Sequence, residues 1–223
     1  MIRAIIFDLW DTIIPSNIDF GKLTKLLKLE HLSRPKFIYR YEHAVQLKHY
    51  KSFSELHRDF IKAFNKEPHE LLEKELLEVY CRRSHQINFF HDVKKALLSL
   101  RKKGYKLALL SNTENLITEK LEKRLKFKKY FDVLVYSYNV GAVKPEKKMY
   151  QIVLQKLKVK PHEVLMVGDS INADVRGATK LGLHNCLINR SGRIIDYSRA
   201  KPEFEIKSLL ELDMVLGALN EKK

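Results

Sequence analysis

Four short stretches of this 223-residue chain carry side chains whose types and positions suit chemistry. In the first, the apolar run Ala4-Ile5-Ile6-Phe7 stops on Asp8, with Trp10, Asp11 and Thr12 just beyond. The run reads as a buried parallel strand. A carboxylate at the carboxyl end of such a strand lies where open α/β sheets bind ligands, so Asp8 is placed for chemistry rather than packing. In the second, Lys106-Leu-Ala-Leu-Leu runs into Ser111-Asn112; in the third, Lys144 stands before Pro145. In the fourth, Val164-Leu-Met-Val leads into Gly168-Asp169, with Asp174 five residues on. A carboxylate can attack an electrophilic centre and form a covalent intermediate. Grouped carboxylates suit a hard divalent cation, and a hydroxyl and an ammonium suit an anion. Gly168-Asp169 also has a plainer reading, a strand-to-helix turn with Asp169 as the helix N-cap.

The elements that must hold these residues follow from hydrophobic period and punctuation. From residue 91 onward, strand and helix signals alternate. Asp92 is a candidate N-cap for a helix with the stripe Val93, Ala96, Leu97 and Leu100, closed by Gly104. The strand Lys106–Leu110 follows, then a helix over about Glu114–Leu125, the strand Val133–Ser137 and a helix from about Pro145 to Leu157. The strand Val164–Val167, a helix ending near Leu181 before Gly182, the strand Asn185–Ile188 and a short edge strand at Phe204–Ile206 complete the series before a last helix. Such alternation means a parallel, doubly wound α/β sheet with helices on both faces. Right-handed crossovers bring the strand ends to one edge. Residues 15–90 show helical periods only. Ser52 and Glu55 are spaced as a capping box, and Leu71, Leu72, Glu75, Leu76 and Val79 suggest an amphipathic helix after Pro68.

With these motifs in order, the chain resembles the haloacid dehalogenase-like hydrolase superfamily over essentially its whole length. Asp8 to Thr12 match its Asp-x-Asp-x-Thr motif with the second Asp missing. Ser111, Lys144-Pro145 and Gly168-Asp169 through Asp174 match the other three. The resemblance implies a Rossmann-like core, residues 1–14 and 91–223, with a C1-type helical-bundle cap inserted as residues 15–90. It implies Asp8 as nucleophile, with Ser111 and Lys144 holding phosphoryl oxygens, aided by the backbone N–H groups of Leu9 and Asn112. Thr12 orients the loop. It implies Mg²⁺ held by the Asp8 carboxylate, the main-chain carbonyl of Trp10 and Asp169, with Asp174 in support. Substrate choice would fall to cap residues such as Tyr39, Arg40, His43 and Tyr50.

Trp10 departs from that pattern. It stands where family phosphatases carry the acid that protonates the leaving alkoxide, a role worth ~10²–10⁴-fold. Asp11 is better read as a loop residue than as a replacement. Three readings follow. The first is an Mg²⁺-dependent phosphohydrolase of a small phosphorylated metabolite, working through an aspartyl-phosphate and impaired on, or selective among, leaving groups. The second is a hydrolytic 2-haloacid dehalogenase, a branch where an aromatic commonly replaces the second Asp but the Gly-Asp motif is absent. The third is a binding or regulatory protein on the same fold. The retained Gly168-Asp169 favours the first.

Composition narrows the classes. The length allows one large domain or a domain with an insert. No apolar stretch reaches the ~18 residues of a membrane span. Asp8 interrupts the first apolar run too early for a signal peptide, so a cytoplasmic protein is expected. Cys81 and Cys186 read as reduced apolar residues. Abundant Lys and Glu hint at a heat-adapted source. The net charge of +15 reads first as a solvated Lys-rich surface and second as a field drawing a small anionic substrate. No nucleic-acid-binding motif accompanies it, so no specific nucleic-acid partner is expected. His31, His43, His49, His57, His69 and His85 lack metal-ligand spacing and read as surface or packing residues. Oligomeric state has no signature in the sequence.

Overall fold

The computed structural model describes residues 1–16, 20–67, 70, 73–74, 77–78 and 86–221. Its centre is a parallel six-stranded sheet built from β1 (Ala4–Phe7), β2 (Lys106–Ser111), β3 (Val133–Tyr136), β4 (Val164–Gly168), β5 (His184–Ile188) and β6 (Phe204–Ile206), in the order β3-β2-β1-β4-β5-β6. The central strands β1 and β4 are buried at every position, as expected of strands covered on both faces. After β3 the chain returns to the other side of β1. This places a topological switch point between β1 and β4, where their carboxyl ends leave a crevice for ligands. Phe7 pairs with both Leu109 and Val167, so β2 runs two residues and β4 one residue past the end of β1.

Two apolar layers sandwich this sheet. One joins Ile5, Phe7, Leu107, Leu109, Leu165 and Val167 to Val93, Leu97, Leu100 and the C-terminal residues Leu212, Val215 and Leu216. The other joins Ala4, Ile6, Ala108, Leu110 and Met166 to Met149, Tyr150, Val153 and Leu157. Alternate residues of each strand thus face opposite layers, the period-2 rule at work. Packed on the sheet are α4 (Val93–Lys102), α5 (Asn115–Leu125), α6 (Ser137–Val140), α7 (Lys147–Leu157), α8 (Arg176–Lys180) and α9 (Leu212–Glu221).

The earlier segment contains α1 (Phe20–Leu26), α2 (Arg34–Val45) and α3 (Phe53–Ala63). These helices build a separate apolar cluster of Leu23, Phe37, Tyr41, Val45, Tyr50, Leu56, Phe60, Ile61 and Phe64. The cluster touches the sheet domain through Leu116 and Ile117. Asn115 clamps the same junction: its side chain accepts from Tyr50 N at 2.8 Å and donates to Tyr50 O at 3.0 Å. Of the helix expected after Pro68, Glu70, Glu73, Lys74, Leu77 and Glu78 are helical. Pro68, Leu71, Leu72, Glu75, Leu76, Val79, His69, His85 and Cys81 lie outside the described residues.

Some local expectations change. Asp92 is not the side-chain cap of α4. Its carboxylate instead accepts from Arg190 Nη1 at 3.0 Å, Ser208 Oγ at 2.8 Å and Leu209 N at 2.7 Å. Three long-range donors outcompete a local cap. These bonds outweigh the cost of burial and hold the Asp92 carboxyl below its usual range. The Ser52 capping box is half made: Ser52 accepts from Glu55 N, but the Glu55 carboxylate reaches Lys51 N rather than the cap's own N–H. The helix expected from Pro145 begins at Lys147, and the Lys144–Pro145 peptide is cis. Cys186 is a buried free thiol in the core, and burial pushes it up to about 12. Among the described residues, no helix is long and apolar enough to cross a membrane.

Candidate active site

The switch point gathers the residues from all four stretches. Asp8 follows the last residue of β1 and is tied to β4 by Asp8 N donating to Val167 O at 2.9 Å. Asp169 follows β4 directly, and Asp174 lies on the wide turn Ile171–Val175 after it. Carboxylate oxygens of Asp8, Asp169 and Asp174 all lie within 4.8 Å of one another. Ser170 caps the turn by accepting from Ala173 N at 3.1 Å, so Asp169 is not the N-cap. Ser170 N donates to Asp174 Oδ2 at 3.0 Å. Gly168 is required here, because a Cβ would collide with the Asp174 carboxylate.

Lys144 sits among these acids, with Nζ 2.6 Å from Asp8 Oδ1 and 2.7 Å from Asp174 Oδ1. Its position comes from Asn112, whose Oδ1 accepts from Lys144 N at 2.6 Å while Nδ2 donates to Lys144 O at 3.0 Å. The end of β2 therefore fixes the lysine loop. Burial pushes the Asp8 carboxyl up to about 8, against the downward pull of Lys144. Burial likewise raises Asp169 to about 7, reinforced by Asp174 and Asp11. Lys144 is held above its usual range by Asp174 and Asp8, which outweigh its burial. Lys144 is shared by Asp8 and Asp174 and Arg193 pairs with Asp169, so three converging carboxylates meet two cations and keep an excess of negative charge suited to a hard cation.

The loop after β1 explains its polar residues. Asp11 has φ 58°, and its two oxygens accept from Ser16 N at 2.9 Å and Ser16 Oγ at 2.8 Å, a loop clamp. Thr12 is fully buried; its carbonyl accepts from Arg190 Nη2 at 2.7 Å and Nε at 3.1 Å. Trp10 Nε1 donates to Thr113 Oγ1 at 3.1 Å, which turns the indole towards the end of β2. Ser111 is buried at that end, its hydroxyl making only a 3.4 Å bond to Asn112 O.

Three residues here had no part in the sequence-based site. Arg190, just past β5, joins Thr12 to Asp92 and stacks 4.2 Å from the Phe90 ring. Arg193 donates from Nη2 to Asp169 O at 2.8 Å and Oδ2 at 3.0 Å. Glu42, on α2, accepts at Oε1 from Asn112 Nδ2 at 3.1 Å. Its one signal in the sequence is being the only acidic residue of the basic helix 34–45. Of the residues named for substrate choice, Tyr39, His43 and Tyr50 make side-chain contacts within the helical segment. Tyr39 is exposed with its ring against His43, and Tyr50 is buried in the helical cluster, its hydroxyl donating to Ala44 O and Asp59 Oδ2.

Comparison with known proteins gives the family to which this fold belongs. Residues 2–182 match the model of the haloacid dehalogenase-like hydrolase family. A glyceraldehyde 3-phosphate phosphatase of Methanopyrus kandleri is 30% identical, with 95% of this chain and 96% of that protein aligned. The crystal structure of a phosphatase of this family from Thermococcus onnurineus is 30% identical, covers 97% of this chain and 98% of its own, and superposes with a TM-score of 0.66. An L-2-haloacid dehalogenase from Xanthobacter autotrophicus, 21% identical, covers 97% and 99% with a TM-score of 0.67, a likeness of fold alone. The chain belongs to the haloacid dehalogenase-like hydrolases, and is an enzyme of that class.

Proposed function

We propose that this protein is an Mg²⁺-dependent phosphohydrolase of a small phosphorylated metabolite, with Asp8 as nucleophile. The observation that carries the reading is the convergence of Asp8, Asp169 and Asp174 within 4.8 Å. A dehalogenase attacking carbon has no need of the third acid. The donor set is all oxygen, as Mg²⁺ prefers, and burial has raised two of the three carboxyls, so a divalent cation answers an existing strain of charge. Asp8, the main-chain carbonyl of Trp10 and Asp169 would hold the ion, with Asp174 supporting. Bound there, Mg²⁺ supplies charge neutralisation for an anionic phosphoryl group.

The chain's own residues do the rest. A carboxylate oxygen of Asp8 attacks phosphorus and forms an aspartyl-phosphate, which water then hydrolyses. Lys144 holds Asp8 in line and offers its ammonium to the phosphoryl oxygens. Ser111 Oγ and the N–H groups of Leu9 and Asn112 stand at the same strand ends to donate to them, with Thr12 fixing the loop. Residues 15–90 serve as the cap, supported by their separate apolar cluster and by the Glu42–Asn112 contact. The Methanopyrus relative acts on glyceraldehyde 3-phosphate by name, so a three-carbon phosphate is the first substrate to test.

Chelation by EDTA should abolish phosphate release, and Asp169→Ala should nearly do so. Asp8→Asn should keep the fold and lose at least ~10³-fold in kcat, because the covalent route closes. Full activity in EDTA with halide release from 2-chloropropionate would instead establish the dehalogenase, the reading that the aromatic Trp10 favours.

A further inference from the structure

The phosphohydrolase reading leaves one chemical requirement unmet, a proton for the leaving alkoxide, since Trp10 has no acid to give. Each conspicuous substitute makes its described bonds away from Asn112 and Lys144. Asp11 spends both oxygens on Ser16. His43 Nδ1 pairs with Tyr39 O, His49 Nε2 with Asn139 Oδ1, and His57 Nδ1 lies 3.8 Å from Glu73. Tyr150, deep below the crevice, donates to Ala173 O.

Glu42 differs from all of these. It lies on α2 and is hydrogen-bonded to Asn112, just past β2. Asn112, which Glu42 contacts at 3.1 Å, is the residue that orients Lys144, whose ammonium in turn holds Asp8 at 2.6 Å. Glu42 thus reaches the end of β2 and the Asn112–Lys144 contact from the helical segment. Only one of its oxygens has a described partner, which leaves the other for a ligand.

Resting on the phosphohydrolase reading, we propose that Glu42 is the general acid and base that Trp10 displaced, acting from the helical segment rather than from the loop after β1. As Asp8 attacks, the bond between phosphorus and the alkoxy oxygen breaks. The Glu42 proton passes to that oxygen, and the neutral alcohol leaves. The Glu42 carboxylate then takes a proton from the water that attacks the aspartyl-phosphate. Asp8 and inorganic phosphate are released, and Glu42 is again protonated. The leaving-group dependence expected from Trp10 is then confined to variants that lack Glu42.

The electrostatics agree. Burial pushes the Glu42 carboxyl up to about 7, against the hydrogen bond from Asn112 and the Lys144 charge, with Asp174 adding to the rise. On its own helix Arg40 and His43 flank it in sequence. A group titrating near neutral pH is matched to both donating and accepting a proton.

The test is the first turnover of the Mg²⁺-loaded protein, read as alcohol release from glycerol 3-phosphate and from 4-nitrophenyl phosphate, whose phenolate leaves unprotonated. Glu42→Gln should slow the alkyl substrate by ~10²-fold or more and the aryl substrate by less than about threefold. The wild-type alkyl rate should fall as pH rises through about 7, a limb absent in Glu42→Gln and kept in Glu42→Asp. Thermal melts confirm folding, and Glu42→Asp serves if Glu42→Gln does not fold. Equal loss on both substrates, no loss on either, or an unchanged pH limb in Glu42→Gln overturns the role of Glu42 alone. Failure of the wild type to release nitrophenolate overturns the phosphohydrolase reading itself.

Discussion

Trp10 is where a single residue says most about how this site departs from a simpler one. Its indole nitrogen is bound to Thr113 Oγ1, which is itself 2.6 Å from Thr118 Oγ1, so the ring has a structural place beyond filling the position of an acid. If Glu42 supplies the proton, a carboxylate restored at position 10 should compensate for the loss of Glu42. Adding Trp10→Asp to Glu42→Gln should recover at least tenfold in alkyl phosphate turnover over Glu42→Gln alone. The cost is the lost bond and truncated ring, ~1–3 kcal/mol of stability, seen as a lower melting temperature. No recovery in a folded double variant would mean that position 10 is too far from the leaving oxygen. Asp8, Ser111 and Asp169 stood out because each sits at a strand end that hydrophobic runs reveal, whereas Asp174, on the turn after β4, and Lys144, before Pro145, were marked only by their place in the order of motifs. Glu42, Arg190 and Arg193 were not legible, because their reach depends on how separate elements are packed, which no local pattern encodes.

At the scale of elements, strands and most helix limits were readable to within one or two residues, since buried runs and glycine stops are local signals. Gly182, for instance, has φ 74° just past α8, the left-handed position that ends a helix. What local signals missed were tertiary caps. Asp92 looked like a helix cap, yet serves the 3₁₀ turn at Leu209–Glu211 and Arg190. Glu114 is the cap that α5 uses, its carboxylate accepting from Leu116 N at 2.5 Å and Ile117 N at 3.1 Å. Burial raises this carboxyl to about 7 despite those bonds. A carboxyl raised on folding contributes stability that is fully present below its unfolded value near 4.5 and lost as pH rises through about 7. Glu114→Gln keeps an acceptor for the helix and removes the titration. The variant should therefore lose less melting temperature than the wild type between pH 5 and about 8. A parallel decline in both proteins would place the pH dependence on other groups.

The whole molecule combines two apolar layers on one sheet, a third cluster in the helical segment, and a net charge of +15. The crevice itself is locally acidic, three carboxylates against Lys144 and Arg193, so the positive field that meets an approaching phosphate comes from the surface beyond it. Such a field acts on encounter, whereas the chemistry after binding depends on groups a few ångströms apart that salt screens poorly. The Debye length shrinks from about 30 Å at 0.01 M salt to about 10 Å at 0.1 M. With Mg²⁺ held constant and saturating, raising NaCl across that range should therefore lower kcat/KM for a phosphate dianion roughly three- to tenfold while leaving kcat nearly unchanged. Raising viscosity with sucrose at fixed salt separates a field effect from slowed diffusion, since sucrose leaves the charges unscreened. A kcat/KM indifferent to salt would assign the excess of lysine to solubility of the surface, and the capture of substrate to the crevice alone.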